Sequence, residues 1–164
     1  MPVRYFAHSP LDGRSGHEVG RALLRQLWQA HVAAPMPEII LAPGGKPCFR
    51  EGNWHFSISH TPRNAFCVLS DRPVGLDAEE ADRPIDLRLA EKILSPGEYA
   101  CFCRAEDPRE ALLCFWVLKE AEAKLTGRGL RGYPNQTDFR LPDSRIFRAG
   151  SCIAAILQED DHAF

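Results

Sequence analysis

An α+β protein built from two related halves is what the sequence predicts, on three observations. A helix-periodic stretch at Ser15–His31 is followed by two strand-like segments, Trp54–Ser59 and Ala65–Ser70. A longer helical stretch, from Pro108 to about Leu125, is followed by three more strand-like segments. Between the groups lies the turn-forming Asp71-Arg72-Pro73, which sets the expected boundary between residues 1–72 and 73–164. At 164 residues, the halves are expected to share one core as a compact unit.

Each element has its own warrant. In Ser15–His31, Val19, Leu23, Leu27 and Ala30 recur on one helical face, and Ser15 with Glu18 makes a capping-box pattern. Pro35, Pro37, Pro43, Gly44, Gly45 and Pro47 then break regular structure, leaving room for a short strand at Glu38–Leu41. Trp54–Ser59 and Ala65–Ser70 flank a turn at Thr61–Asn64, and Val74–Glu79 is another strand. Asp86–Leu94 reads as a short helix, and Ser95-Pro96-Gly97-Glu98 starts the next. Asp107 caps the long helix with Pro108 at its first position, and Gly127 and Gly129 end it. In the tail, Thr137–Leu141, Arg145–Arg148 and Ser151–Gln158 read as strands. The sequence has no low-complexity tract and no internal sequence repeat.

Composition narrows the function classes. Hydrophobic residues at 45% and charged residues at 26% are ordinary for a globular domain. No apolar run approaches the roughly 20 residues of a membrane span, and the first residues lack an apolar signal core, so no membrane partner and a cytoplasmic location are expected. Most of the six cysteines sit in apolar company, and the only close pair, Cys101 and Cys103, lacks a zinc or redox spacing. A net charge of −2 and a pI near 6.3 argue against a nucleic-acid partner. Arg83, Arg88 and Lys92 can share a helix face, and Arg104, Arg109, Arg128 and Arg131 add positive charge.

Four segments carry chemistry. In Val74-Gly75-Leu76-Asp77-Ala78-Glu79, strand alternation points Asp77 and Glu79 to one face while Leu76 and Ala78 face a core. Gly75 shares the acidic face and leaves room for close approach. Two carboxylates on one face call for a cation, and hard oxygen ligands suit magnesium, although a solvated acidic strand end explains them as well. On the long helix Trp116, Glu120 and Lys124 lie one turn apart with Lys119 beside them, a pattern also met in exposed Glu–Lys pairs. In Phe56-Ser57-Ile58-Ser59-His60-Thr61, the serines face away from Phe56 and Ile58, and His60 ends the strand. Gly44-Gly45-Lys46-Pro47 is a turn holding one lysine and is not a P-loop.

These segments, in this order, resemble the 4′-phosphopantetheinyl transferases, specifically the larger type first known from activating surfactin synthetase. The family's G-K-P turn, F-[NS]-[IL]-S-H strand, G-[IV]-D-x-E strand and W-x-x-K-E-[AS]-x-x-K helix read here as GGKP (44–47), FSISH (56–60), VGLDAE (74–79) and FWVLKEAEAKLTGRGL (115–130). ILSPGEY (93–99) resembles a fifth family segment, and the match runs from about Gly20 to the C-terminus. The resemblance implies the family's fold, with the two halves related by a pseudo-twofold axis. It places the adenosine side of coenzyme A on residues 1–72 and the metal and catalytic side on 73–164.

It also implies roles. Asp77, Glu79 and Glu120 would hold Mg2+ or Mn2+, Glu120 would accept a proton from the carrier serine, and Lys124 would stabilise the departing phosphate. Lys46 and His60, with Ser59 nearby, would meet the adenosine 3′-phosphate region, and Lys119 would hold the helix or the phosphates. Glu98 would support the site or meet the carrier, while Trp116 would serve core packing. Longer members carry a basic N-terminal extension that helps hold the 3′-phosphate, so this chain is expected to have a shortened N-terminus. The family's arginine near the start of the first helix falls at Gly16, with Arg14 its expected substitute and Arg21 the alternative. The expected reaction moves phosphopantetheine from coenzyme A to a serine of an apo acyl or peptidyl carrier protein. The expected state is a monomer, with Arg83, Arg88, Lys92 and Arg128 facing the acidic carrier. Two other readings remain at this stage. One is a protein that binds coenzyme A or a carrier without catalysis. The other is an unrelated magnesium-dependent phosphohydrolase, which leaves FSISH and GGKP unexplained.

Overall fold

The computed structural model describes residues 2–129 and 136–159; Arg131 lies outside them. The first half contains β1 (Arg4–Pro10), α1 (Gly16–His31), β2 (Ile39–Leu41), β3 (Pro47–Phe49), β4 (His55–His60) and β5 (Asn64–Ser70). The second contains β6 (Val74–Glu80), a 3-10 turn (Leu87–Leu89), α2 (Ala90–Ile93), α3 (Pro96–Arg104), α4 (Pro108–Thr126), β7 (Ile146–Ala149) and β8 (Cys152–Gln158). The strands form antiparallel sheets ordered β1-β5-β4 and β6-β8-β7, plus the small hairpin β2-β3. Each three-stranded sheet is therefore strand, helix, strand, strand, with the last strand in the centre. The α+β architecture in two similar halves follows from that shared connectivity.

Three differences from the sequence reading have physical causes. β1 and β3 were not anticipated: β1 is a half-exposed outer strand ending in Pro10, and β3 begins at Pro47. Thr137–Leu141 is irregular rather than a strand, because side chains instead of a neighbouring strand take its backbone groups. Phe139 N–H donates to Glu98 Oε1 at 2.8 Å, and the Thr137 carbonyl accepts from Lys119 Nζ at 3.1 Å. Asp86–Leu94 divides into the 3-10 turn and the single turn of α2. The helix ends agree with the sequence. Ser15 accepts the Glu18 N–H, Asp107 accepts the Glu110 N–H, and Gly127 closes α4 at φ 70°. The complete reciprocal capping box is at Ser95 and Glu98.

Strand alternation stacks the molecule in four layers. On β5, Ala65, Cys67 and Leu69 pack with Val19, Leu23 and Leu27 of α1. The opposite face, Phe66 and Val68, packs on Leu76, Ala78, Ala154 and Ile156 of the second sheet. Ile153, Ala155 and Leu157 of β8 turn the other way, into a core with Leu118 and Ala121 of α4. The order is α1, first sheet, second sheet, α4. No helix of the described residues is long and apolar enough to cross a membrane, and all six cysteines are free thiols.

The sheets also meet edge to edge. Outer strands β4 and β6 run parallel side by side, joined by side chains: Ser57 Oγ accepts the Leu76 N–H at 3.0 Å, and Ser59 Oγ accepts the Ala78 N–H at 3.3 Å. At the end of this seam Glu80 clasps three segments, accepting from Thr61, Arg63, Asn64 and Ser151. Burial pushes the Glu80 carboxyl up, but hydrogen bonds from Thr61, Ser151, Arg63 and Asn64 outweigh it and hold the pKa at about 2. The folded value lies below the ordinary 4.5, so this stabilisation is complete above about pH 5 and is lost as pH falls toward 2. Glu80→Gln should therefore destabilise the protein by about 2 kcal/mol at neutral pH, with the gap to the parent closing between about pH 4.5 and 2. Urea unfolding at several pH values checks this.

Candidate active site

Beside the seam, β6 turns Gly75, Asp77 and Glu79 toward α4. A Cβ on Gly75 would overlap the Ala121 carbonyl oxygen, so glycine there lets the helix lie directly on the strand. That contact brings Trp116, Glu120 and Lys124, one turn apart on α4, against the acidic face of β6. Asp77 is 5% exposed, and its Oδ1 accepts from Lys124 Nζ at 2.7 Å and from Ser59 Oγ at 3.0 Å. Its other oxygen, Oδ2, is buried without a hydrogen-bond partner. Glu79 Oε1 accepts from Trp116 Nε1 at 3.1 Å and from Arg83, whose guanidinium lies 5.6 Å from the centre of the Trp116 ring.

Burial first, then the Asp77 charge, pushes the Glu79 carboxyl above its ordinary value; Arg83, Trp116 and Lys124 oppose the shift. Glu120 is also raised, by burial, Asp77 and Glu79, against Lys124 and Arg83. Such a cluster, with an unpartnered buried oxygen and only oxygen donors, fits a hard divalent cation. Lys124 and Arg83 stand on two of the carboxylates, and among the described residues no group of three acidic, histidine or cysteine side chains forms a ready metal-ligand set.

A cavity of about 290 Å³ opens at one end of the acidic row, lined by Gly44, Lys46, Phe56, Ser57, Glu120 and Lys124. A second, of about 400 Å³, opens at the other end, beside Pro62, Arg63, Glu79, Arg83 and Pro84. The first lies between the halves. Its β2–β3 turn, with Gly44 and Gly45 at φ 94° and 89°, docks on the C-terminal end of α4. Lys46 Nζ donates to the carbonyls of Val74 at 3.2 Å and Leu125 at 3.3 Å, and burial lowers its pKa.

The structure therefore unites Asp77, Glu79, Glu120, Lys124 and Ser59, and it gives the other candidates the following surroundings. Lys119 is turned away from the cluster; 1% exposed, it pairs with the buried Glu98 at 2.8 Å, so of its two expected roles it holds the helix, bracing α4 against α3, rather than the phosphates. Lys46 lines the cavity with its stem while its ammonium joins the halves through two carbonyls. Arg83 pairs with Glu79 in the acidic cluster, and Arg88, on the surface, pairs with Asp86. Trp116 is more than packing, because its indole N–H fixes Glu79. Its place one turn before Glu120 was a usable signal. The bridging role of Ser57 had none, since nothing in the sequence pairs β4 with β6. His60 is exposed at the end of β4, its ring resting over Gly16 at the start of α1. Any Cβ at Gly16 would overlap that ring, which gives the glycine a steric reason. Arg14 sits on the exposed loop entering the same helix end, its Nε 3.4 Å from the Leu11 carbonyl.

Comparison with known proteins adds to this geometry. The profile of the 4′-phosphopantetheinyl transferase superfamily matches residues 73–162. The chain is 34% identical over 140 residues to the 4′-phosphopantetheinyl transferase psf-1 of Bacillus pumilus, covering 76% of this chain and 60% of that one. It is 37% identical over 114 residues to the transferase Sfp of Bacillus subtilis, covering 61% and 50%. It is 36% identical over 136 residues to AcpT of Salmonella typhi, covering 77% and 67%. The chain thus spans from half to two thirds of the length of these relatives.

The crowded carboxylates make a prediction about the ligand-free protein. Because Glu79 and Glu120 are shifted upward, ionising them disfavours the fold, and stability falls as pH rises from about 4.5 through their folded values. Glu120→Gln removes one of the repelling charges and should melt a few degrees higher than the parent at neutral pH, the difference vanishing below about pH 4.5. Scanning calorimetry without divalent cations measures it.

Proposed function

The chain belongs to the 4′-phosphopantetheinyl transferase superfamily, and we propose that it moves the 4′-phosphopantetheine group of coenzyme A onto a serine of an apo acyl or peptidyl carrier protein, giving holo carrier protein and 3′,5′-ADP. The observation that carries this reading is the buried, unpartnered Asp77 Oδ2 in a row of three carboxylates, with Lys124 beside it, at the mouth of a cavity between the halves.

In this reading the nucleotide part of coenzyme A occupies the cavity beside Gly44 and Phe56, and its 3′-phosphate faces His60 and Arg14 at the amino end of α1, where free backbone N–H groups favour an anion. Asp77, Glu79 and Glu120 would hold Mg2+ or Mn2+, which when bound would neutralise pyrophosphate charge. The serine oxygen attacks the phosphorus nearer the pantetheine. A new phosphorus–oxygen bond forms as the bond to the bridging oxygen breaks. The serine proton passes to Glu120, directly or through one water, and Glu120, with its raised proton affinity, suits that role. Lys124 leaves Asp77 to stabilise charge on the departing 3′,5′-ADP. Ser59 keeps Asp77 in place, and Trp116 and Arg83 fix one oxygen of Glu79 so that the other faces the cluster. One chain supplies both sides of the cleft, which supports action as a monomer, and coenzyme A and carrier proteins as substrates would suit a cytoplasmic location.

Intact-protein mass spectrometry of apo carrier proteins incubated with the protein, coenzyme A and magnesium tests the reading. The carrier should gain one phosphopantetheine, and a chelator should prevent the gain. Asp77→Ala and Glu120→Gln should each lower the rate by at least about 100-fold while keeping the fold. Near-normal turnover in either variant contradicts the assignment, and metal-dependent release of 3′,5′-ADP without a carrier points to a phosphohydrolase instead.

A further inference from the structure

Lys124 and Asp77 do not make the pair that a purely structural salt bridge would make. Only Oδ1 is engaged, by Lys124 and Ser59 together, while Oδ2 stays buried and unpaired. An oxygen left unmatched in this way destabilises the empty site, so the carboxylate is held ready for a further partner. The lysine itself is poised to move: its side chain is 32% exposed against 8% for Asp77, it lines the cavity between the halves, and its flexible stem carries three rotatable donors.

We propose that Lys124 is the internal stand-in for the divalent cation: it occupies Asp77 while the site is empty, and a metal ion must displace it to enter. The inference rests on the metal assignment made above and adds a competition within the protein. One ammonium cannot neutralise Asp77 and a phosphate in the cavity at once. A phosphate-bearing ligand that draws Lys124 outward therefore frees Asp77 for the cation, and metal and nucleotide binding become coupled even before they touch each other. Without the nucleotide, the resident ammonium keeps metal affinity low and spares the fold three unscreened carboxylates. Ser59, bonded to Asp77, Lys124 and the Ala78 N–H, keeps the carboxylate fixed while the cation changes.

The test uses the full chain with Mn2+ alone, free ion being counted by electron paramagnetic resonance. Lys124→Met should bind Mn2+ about tenfold more tightly than the parent. Arg128→Met, which removes an exposed cation just beyond α4, should leave the affinity unchanged. Lys124→Gln is measured alongside, so that a folding defect in one variant does not decide the result. Equal affinity in the parent and both Lys124 variants overturns the stand-in role while leaving the metal assignment intact. An equal gain in Arg128→Met reduces the effect to a general field and overturns it too. Absence of Mn2+ binding to every variant overturns the stand-in role and the metal assignment together.

Discussion

The contact between β4 and β6 is the constraint on which the rest of the molecule depends. Two outer strands lie side by side with amide groups that need acceptors in a buried setting, and an unmet buried N–H is costly. Ser57 and Ser59 supply those acceptors from their side chains, each serving one amide of β6. The hydroxyls stand where ladder carbonyls would stand in a continuous sheet. Two three-stranded sheets are thereby joined without merging, and each covers an exposed edge of the other. Glu80 at one end of the seam and Lys46 at the other fasten the same junction with hydrogen bonds between the halves.

The site is a by-product of how that seam is built. Ser59 faces β6 to meet an amide, and from the same position it reaches Asp77. Gly75 allows α4 to press on β6, and the register of that contact decides that Trp116 meets Glu79 and Lys124 meets Asp77. Burial, together with the mutual repulsion of three carboxylates in so small a space, raises Glu79 and Glu120 and weakens the empty fold. Lys124 and Arg83 offset part of that repulsion. A site that is uncomfortable when empty is one on which the binding energy of a cation would act, and the instability is the ordinary cost of keeping such a site preorganised.

Much of this was legible in the sequence. The 3.6-residue period and the caps marked α1 and α4, because helix signals are local. Alternation in Val74–Glu79 put Asp77 and Glu79 on one face, and spacing put Trp116, Glu120 and Lys124 on another. What could not be read was which polar atom meets which. Lys119 and Lys124 are both helical lysines beside acidic neighbours, and only packing sends one into the core against Glu98 and the other to Asp77. β1 escaped because Tyr5 and Ala7 pack into one core and Phe6 into the other, so its apolar residues run together instead of alternating. Thr137–Leu141 looked like a strand because Phe139 and Leu141 are apolar at alternate positions, whereas its backbone partners are side chains distant in sequence. Gly16 departs from the family pattern, and its steric reason, the His60 ring above it, comes from a residue distant in sequence.

The central claim is that the row of carboxylates beside the seam is where cation and phosphate meet. Crystals grown with coenzyme A and Mn2+, examined by anomalous diffraction at the manganese edge, test it directly. The account predicts one strong peak coordinated by Asp77, Glu79 and Glu120, with Lys124 withdrawn from Asp77 onto a phosphate oxygen. A nucleotide bound in the cavity with manganese elsewhere, or with Lys124 still on Asp77, would contradict it.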